Sequence, residues 1–166
     1  KGLDWSASVW DYDSLDFLLN NYKDIPFIKI PSAINGSYDF LEDACKTNIP
    51  ILVSLGMAEL EECDKIVNLL NKYSSDFCVM HTNSAYPAPN DQLNLSLIPF
   101  FIDRYKCPVG YSGHEIDLEP SVIAATLGAH VIATSGSDLK CEYSKNIGAH
   151  HVVNHNENKW KDDIKL

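Results

Sequence analysis

Short apolar runs alternate along this sequence with longer runs whose apolar residues recur at helical spacing. The run at 50–54 is almost uninterrupted in its apolar character, as expected for a parallel strand buried on both faces. This alternation predicts βα units and therefore an α/β fold with a parallel sheet. Strands are predicted at 5–9, 27–30, 50–54, 77–81, 108–111 and 130–134, and helices at 12–22, 38–46, 58–73, 93–105 and 120–127.

Polar side chains follow the predicted strands at the point where each strand ends. They are hydroxyl, ammonium and imidazole groups at Ser8, Lys29, Ser32, Ser54, His81, Ser84, Ser112 and His114. Polar groups at the carboxyl ends of strands about 20 to 30 residues apart are typical of the TIM (β/α)8 barrel, which needs about 250 residues. The 166 residues here predict a partial TIM barrel of about six parallel βα units.

A doubly wound sheet with ordinary polar loops is the alternative architecture. Its dinucleotide-binding form would require a G-x-G-x-x-G turn after the first strand. No such turn is present in the sequence. The partial barrel is therefore favoured.

Composition limits the environment and the partners of the chain. Thirteen Lys and Arg against 23 Asp and Glu give a net charge of -10, which argues against nucleic acid or an anionic membrane as partner, since phosphate neutralisation needs a basic face. The apolar runs are too short to span a bilayer, and no leader pattern opens the chain. Five cysteines without C-x-x-C spacing predict reduced thiols and a cytoplasmic location. Because the first residue is Lys, we expect a fragment.

Lys29 and three strand-end serines can form an anion pocket. Lys29 can pair with an anionic substrate, carry a Schiff base, or simply extend from a strand edge into water. Ser32, Ser54 and Ser112 lie near glycine or proline turns, where hydroxyls and free backbone N–H groups can hold a phosphate. Each serine alone is typical of a turn, and together with Lys29 they predict an anion site.

Two histidines and a tyrosine are the other candidates for chemistry. His81 and His114 end strands separated by one helix, so a barrel would place them as neighbours, where two imidazoles and an oxygen ligand can hold a divalent ion. A hydrogen-bonded structural histidine is the alternative for each. Tyr86 begins a Tyr-Pro-Ala-Pro segment, which is either a rigid wall for a small polar substrate or a plain turn.

Four motifs give residues 1–132 a resemblance to the sialic acid (N-acetylneuraminate) synthase family, which condenses phosphoenolpyruvate with an N-acetylhexosamine on a (β/α)8 barrel. The motifs stand in the family's order and spacing. They are Lys-Ile-Pro-Ser-Ala at 29–33, Val-Ser-Leu-Gly-Met at 53–57, His-Thr-Asn-Ser-Ala-Tyr-Pro at 81–87 and Gly-Tyr-Ser-Gly-His-Glu at 110–115.

The resemblance implies roles for the strand-end residues. Lys29 and Tyr86 would be catalytic, Lys29 on the phosphoenolpyruvate and Tyr86 beside the sugar, and His114 would bind Mn²⁺ or Mg²⁺. That cation polarises the aldehyde of the open-chain sugar for attack by C3 of the enol. The substrate-binding residues would be Ser8, Ser32, Ser54, His81, Ser84 and Ser112.

Several positions depart from the family's pattern. Its acidic residue after the Lys-Ile-x-Ser motif is Ile34 here, with Asn35 beside it, and its Ser-Thr-Gly-Met turn has Leu55 in place of Thr. Its second metal histidine, in a Glu-Arg-His segment, is replaced within 133–135 by Ala-Thr-Ser. The family's first two strands would lie before Lys1. We therefore expect an incomplete synthase with little or no activity.

Residues 133–166 resemble instead the nucleotide-binding half of medium-chain zinc alcohol dehydrogenases and quinone oxidoreductases. The similarity lies in a strand ending in small hydroxyl residues, followed by Gly148-Ala149 and a further strand. An ordinary αβ joint is the alternative. His150, His151 and His155 are predicted to be surface residues. The domain prediction is thus a partial synthase barrel at 1–132 and a short αβ tail, or incomplete final units, at 133–166.

Two further functions compete with the synthase. One is a non-catalytic remnant or binding domain whose exposed strand edges are covered by self-association into a homo-oligomer. The other is an NAD(P)-dependent reductase fragment, although the tail lacks the glycine-rich turn that binds a dinucleotide.

Overall fold

Helices and parallel strands alternate in the computed structural model, which describes residues 6–73, 76–130, 132–135 and 151–154. The helices are α1 (Tyr12–Asn21), α2 (Tyr38–Cys45), α3 (Leu60–Tyr73), α4 (Leu97–Tyr105) and α5 (Glu119–Thr126). The strands are β1 (Ile28–Ile30), β2 (Ile51–Ser54), β3 (Phe77–Thr82), β4 (Val109–Ser112), β5 (Ile132–Ser135) and β6 (His151–Asn154). Short 3-10 helices cover Ser32–Ile34 and Asn90–Gln92.

The first four strands form one parallel sheet in the order β1-β2-β3-β4. A parallel bridge between Ser8 and Lys29 adds a strand position before β1, and a parallel bridge between Gly110 and His130 adds another after β4. Four strands and two bridges therefore lie side by side in chain order with helices between them, as in a partial TIM barrel. The predicted fold class is confirmed, although the strand predicted at 5–9 is reduced within the described residues to the bridge at Ser8.

Helix α4 begins later than its apolar periodicity predicts. The prediction was 93–105, but the helix starts at Leu97. Asn94 has a φ of 49°, in the left-handed region, so the chain cannot continue helically through that residue. The preceding segment forms the 3-10 turn at Asn90–Gln92 instead.

The core lies between the sheet and its helices, and one face of each strand is buried in it. Side chains alternate between the two faces of a strand. Ile28 and Ile30 of β1 and Val53 of β2 are fully buried, and they pack in one cluster with Ile66 and Leu70 of α3. The intervening residues of each strand consequently occupy the other face, which corresponds to the inside of a barrel.

The tail is described only through its two strands. β5 pairs in parallel with β6, Ile132 opposite His151 and Ser135 opposite Asn154, a pairing that fits an αβ unit. Residues 136–150 and 155–166 lie outside the described residues, and with them His150, His155 and most of the predicted dehydrogenase-like tail. Among the helices that the structure describes, none is both long and apolar enough to cross a bilayer.

Candidate anion-binding site

Three serine hydroxyls are buried at the carboxyl ends of the strands without a hydrogen-bond partner among the described residues. They are the Oγ atoms of Ser32, Ser54 and Ser84. Ser32 begins the 3-10 turn after β1, Ser54 ends β2, and Ser84 follows β3. Burying a polar group without a partner costs about 1–3 kcal/mol, so such atoms indicate a position where a ligand or water completes the hydrogen bonds. Three of the predicted substrate-binding residues thus share this property.

Gly56 brings two of these hydroxyls together. A Cβ atom on Gly56 would lie 2.5 Å from Ser84 Oγ, 2.7 Å from Ser32 Oγ and 3.0 Å from the carbonyl oxygen of Thr82. A side chain at this position would displace both serine hydroxyls and press on the Thr82 carbonyl, so the close approach favours glycine. The hydroxyls from the β1 and β3 loops therefore converge over the Gly56 backbone.

Lys29 supplies a cation on the same face of the sheet. Its register partner in β2 is Leu52, two residues before Ser54, so Lys29 and Ser54 point to the same side. Burial lowers the pKa of the Lys29 ammonium, and within the described part of the chain no carboxylate pairs with it. A half-buried ammonium without a carboxylate partner among the described residues, on the same face as the orphan hydroxyl of Ser54, is favourable for an anion.

Ser8 and Ser112 flank this face on either side. Ser8 bridges to Lys29, and Ser112 is the register partner of Thr82 at the end of β4. Both serines are half-buried. The structure therefore places Ser8, Lys29, Ser54 and Ser112 on one face, as parallel strands with a common polar end require.

Asn35 also belongs to the site. In the sequence it stands out only as the residue next to Ile34, where the family has an acidic residue. Its side chain is 7% exposed, and its Nδ2 donates to the carbonyl oxygens of Ser54 at 2.9 Å and Gly56 at 3.1 Å. The amide thus ties the loop after β1 to the turn after β2. Nothing in the local sequence signals this role, because the partners lie 19 and 21 residues away.

Tyr86 and His114 form a second group above the next two strands. The carbonyl of Asn83 can only accept, so the 2.6 Å contact places a proton on His114 Nδ1. His114 Nε2 lies within hydrogen-bond distance of the Tyr86 hydroxyl, at 2.7 Å, and the two rings stack with centroids 3.9 Å apart. Tyr86 is 77% exposed. The structure brings these two predicted residues together as an imidazole stacked on an accessible phenol.

His81 lies on the opposite face from Lys29 and Ser54. It is buried, its ring contacts Phe101 of α4 edge-on, and its Nε2 donates to the carbonyl of Leu93 at 2.7 Å. Burial lowers the pKa of His81. These contacts are those of a hydrogen-bonded structural histidine, the alternative that the sequence left open, and the predicted substrate-binding role of His81 stays a prediction.

The described part of the chain does not contain a complete set of ligands for a divalent cation. No group of three or more His, Cys, Asp or Glu side chains there is arranged to hold a metal ion. Both ring nitrogens of His114 already have hydrogen-bond partners, Nδ1 in the Asn83 carbonyl and Nε2 in the Tyr86 hydroxyl. These residues do not by themselves fit a metal centre.

Comparison with known proteins decides the family. The sequence model of the NeuB family matches residues 1–134. This chain belongs to the NeuB family. The matched residues include the four-stranded sheet, the three orphan serines and Lys29. The resemblance to the sialic acid synthase family that the motifs indicated is therefore confirmed as membership of the NeuB family. The match ends at residue 134, and the dehydrogenase-like tail stays a prediction.

Relatives of this NeuB chain include several synthases. An N-acetylneuraminate-9-phosphate synthase from Drosophila melanogaster is 32% identical over 149 residues, 84% of this chain and 40% of the relative. An N,N'-diacetyllegionaminic acid synthase from Campylobacter jejuni is 34% identical over 129 residues, 76% of this chain and 38% of the relative. The chain thus spans about two fifths of the length of these relatives.

Solved structures agree with the barrel assignment. The crystal structure of an N-acetylneuraminic acid synthetase from Leptospira borgpetersenii superposes with a TM-score of 0.70 at 29% identity, covering 74% of this chain and 42% of that one. A phospho-2-dehydro-3-deoxyheptonate aldolase from Thermotoga maritima matches with a TM-score of 0.67 over 86% of this chain and 49% of that one. At 13% identity, the second similarity concerns the fold alone.

Proposed function

We propose that this chain binds phosphoenolpyruvate through the orphan serines and Lys29, as part of a synthase that condenses it with an N-acetylhexosamine to give a sialic acid. The observation that carries the proposal is the convergence of buried, unpartnered hydroxyls over Gly56. Hydroxyl donors and one ammonium, with no carboxylate paired to that ammonium among the described residues, suit a phosphate and a carboxylate on one small molecule.

The two anionic groups of phosphoenolpyruvate are proposed to use different parts of the pocket. The phosphate is assigned to the hydroxyls of Ser32, Ser54 and Ser84 beside Gly56, where a Cβ would block it. Lys29 is assigned to the charge balance of the same ligand, with Ser8 and Ser112 at the flanks of its face. Because the whole chain carries a net charge of -10, this local ammonium matters for holding an anion.

Tyr86 and His114 are proposed to border the acceptor sugar. In the condensation, a carbon–carbon bond forms between C3 of phosphoenolpyruvate and the sugar aldehyde carbon, water adds at C2, and phosphate leaves by carbon–oxygen cleavage. The exposed phenol of Tyr86 and the imidazole of His114 can orient a polyol through hydrogen bonds. The Mn²⁺ or Mg²⁺ ion that the resemblance implies stays a prediction, with His114 as its predicted ligand.

Binding and turnover are tested separately. Isothermal titration of the full chain with phosphoenolpyruvate should show binding, and S32A and S54A should each weaken it about tenfold, the equivalent of one lost hydrogen bond to a charged group. S96A is the matched control, because Ser96 is exposed at the start of α4 and makes no side-chain capping bond. Absence of binding at millimolar phosphoenolpyruvate would reject the proposal.

Little or no turnover is proposed for this chain alone, because the family's second metal histidine is replaced within 133–135 by Ala-Thr-Ser. The assay is phosphate release from phosphoenolpyruvate with N-acetylmannosamine and Mn²⁺. Release at the rate of a full-length synthase would contradict the inactivity and leave the binding proposal intact.

The competing functions and the location stay predictions. A self-associating, non-catalytic domain predicts a mass in solution that rises with concentration, measurable by sedimentation. A reductase fragment predicts that NADPH raises the thermal midpoint. The cytoplasmic location and the absence of a nucleic-acid partner are likewise retained as predictions from charge and cysteine usage.

A further inference from the structure

The turn that follows β2 holds a residue in an unfavourable backbone conformation. Met57 has a φ of 66°, in the left-handed region that favours glycine and disfavours longer side chains. Its side chain is 75% exposed, so its own packing does not stabilise the conformation. A strained residue of this kind persists only where neighbouring groups fix the backbone around it.

Asn35 supplies such a constraint from another loop. Its Nδ2 donates to the carbonyl of Ser54 and to the carbonyl of Gly56, which belongs to the peptide that leads into Met57. Both amide hydrogens of Asn35 are used on the main chain of this turn. Asn35 therefore fixes the path of the backbone directly before the strained residue.

The same two carbonyls belong to residues of the anion pocket. Ser54 carries an orphan hydroxyl, and Gly56 is the position over which the hydroxyls of Ser32 and Ser84 converge. The Asn35 side chain starts three residues after Ser32, at the end of the same 3-10 turn. One amide thus sets the distance between the β1 loop and the β2 turn, and hence the spacing of the hydroxyls.

We propose that Asn35 is a positioning residue, whose amide clamps the turn at 54–57 and thereby sets the geometry of the anion pocket without touching the ligand. This inference rests on the proposed phosphoenolpyruvate site. Asparagine suits the task because both partners are acceptors. In an aspartate of the same shape, the oxygen that replaces Nδ2 would face two carbonyl oxygens, and the carboxylate would add a negative charge near the anion.

The test compares N35A and the isosteric N35D with V67A in the full chain. Val67 is buried in the core on α3, so V67A destabilises the fold without altering the turn. Isothermal titration with phosphoenolpyruvate and with inorganic phosphate is expected to show affinity lowered at least tenfold in N35A and further in N35D. V67A should keep the wild-type affinity below its unfolding temperature.

Amide hydrogen exchange gives a readout that does not depend on binding. The N–H of Ala58 donates to Leu55 across the turn, and it should exchange at least tenfold faster in N35A and N35D but not in V67A, apart from global unfolding. If N35A does not fold, N35D decides the comparison.

The outcomes separate this inference from the proposed function. A wild-type chain that binds phosphoenolpyruvate while N35A and N35D bind as tightly as V67A would overturn the positioning role alone. Unchanged Ala58 exchange in both Asn35 variants would also overturn it. A wild-type chain that binds neither phosphoenolpyruvate nor phosphate would overturn the proposed function and, with it, the role of Asn35 in the pocket.

Discussion

Ser32, Ser54 and Ser84 occupy strand-end positions where a serine usually serves a turn, and burial without a partner is what distinguishes them. Ser14 shows the ordinary case in the same chain. Its hydroxyl accepts from the backbone N–H of Asp11, and its own N–H donates to the Asp11 carboxylate, so that it closes a capping box at the start of α1. At the scale of single residues, the candidate site is therefore recognised by unmet hydrogen-bonding capacity, and this can be tested by filling or neutralising the pocket.

Gly56→Ala should close the space between the hydroxyls. The new Cβ would approach Ser84 Oγ and Ser32 Oγ to less than 3 Å, so we expect the loss of phosphoenolpyruvate binding and a destabilisation of about 1–3 kcal/mol from overpacking. Titration calorimetry and urea unfolding measure the two effects. Gly36→Ala is the control, because a Cβ there meets nothing within 4 Å. Equal binding by the two variants would refute the role given to Gly56.

Lys29→Met should stabilise the unliganded chain while removing its affinity for the anion. Burial lowers the pKa of Lys29 in the folded chain. The buried ammonium therefore costs stability at low pH, where Lys29 is protonated in both the folded and the unfolded chain. The free energy of unfolding rises with pH between the folded pKa and the unfolded value of about 10.4, because only the unfolded chain holds the proton there. We expect Lys29→Met to gain about 1 kcal/mol at pH 7. The gain should shrink towards pH 10 as the wild-type lysine loses its proton.

Urea unfolding of both proteins at pH 7 and pH 10 checks this prediction. A variant that is less stable than the wild type at pH 7 would mean that the ammonium already has a stabilising partner.

At the scale of elements, side-chain contacts join the neighbouring helices α3 and α4. Arg104 of α4 donates through Nε at 2.7 Å and through Nη2 at 2.6 Å to the carboxylate of Asp64 on α3, and the Tyr105 hydroxyl donates to the same group at 3.0 Å. The Arg104 guanidinium holds the pKa of the Asp64 carboxyl below its usual range. This contact joins neighbouring helices 40 residues apart in the sequence.

Asp64→Ala should lower the thermal midpoint by about 1–3 °C, since a bidentate pair with an additional hydroxyl is at the upper end for a surface contact. Asp103→Ala is the matched control. Its partner Lys106 lies within the same helical end, and the side chains of the pair are 86% and 74% exposed, so that its removal should leave the midpoint unchanged. Calorimetric midpoints of the two variants give the answer, and an equal loss in both would contradict it.

At the scale of the whole molecule, the described helices α1 to α5 and the four-stranded sheet contribute to a single buried cluster that runs from Val9 to Ala129. The acidic surface, with a net charge of -10, encloses this apolar layer. A continuous core of this kind predicts that the described barrel segment unfolds as one cooperative unit.

Ile66→Ala tests this cooperativity. Ile66 is fully buried on α3, and its truncation should cost about 2–5 kcal/mol through lost transfer energy and a cavity. The urea transitions followed by tryptophan fluorescence, to which Trp10 at the start of α1 contributes, and by far-UV circular dichroism should shift together. Separated transitions after the substitution would show that α1 and the sheet do not share one unfolding unit.

The sequence by itself determined the α/β alternation, the partial barrel and the family. Each follows from local information, because periodicity reports burial and the motifs around Lys29, Ser54 and His114 recur in fixed order. The strand ends also located the polar rim, since parallel strands share one carboxyl edge. The helix and strand positions of the described residues were mostly predicted to within a few residues.

Only the tertiary structure decided which side chains meet. Side-chain alternation divides a strand into two faces, but the helices packed against the sheet select the buried one, and this turned His81 towards α4 and away from Lys29. Asn35 and its carbonyl partners, or Tyr86 and His114, are joined by hydrogen bonds across 19 to 28 residues. Such contacts depend on where the folded chain brings distant loops, which no local pattern encodes.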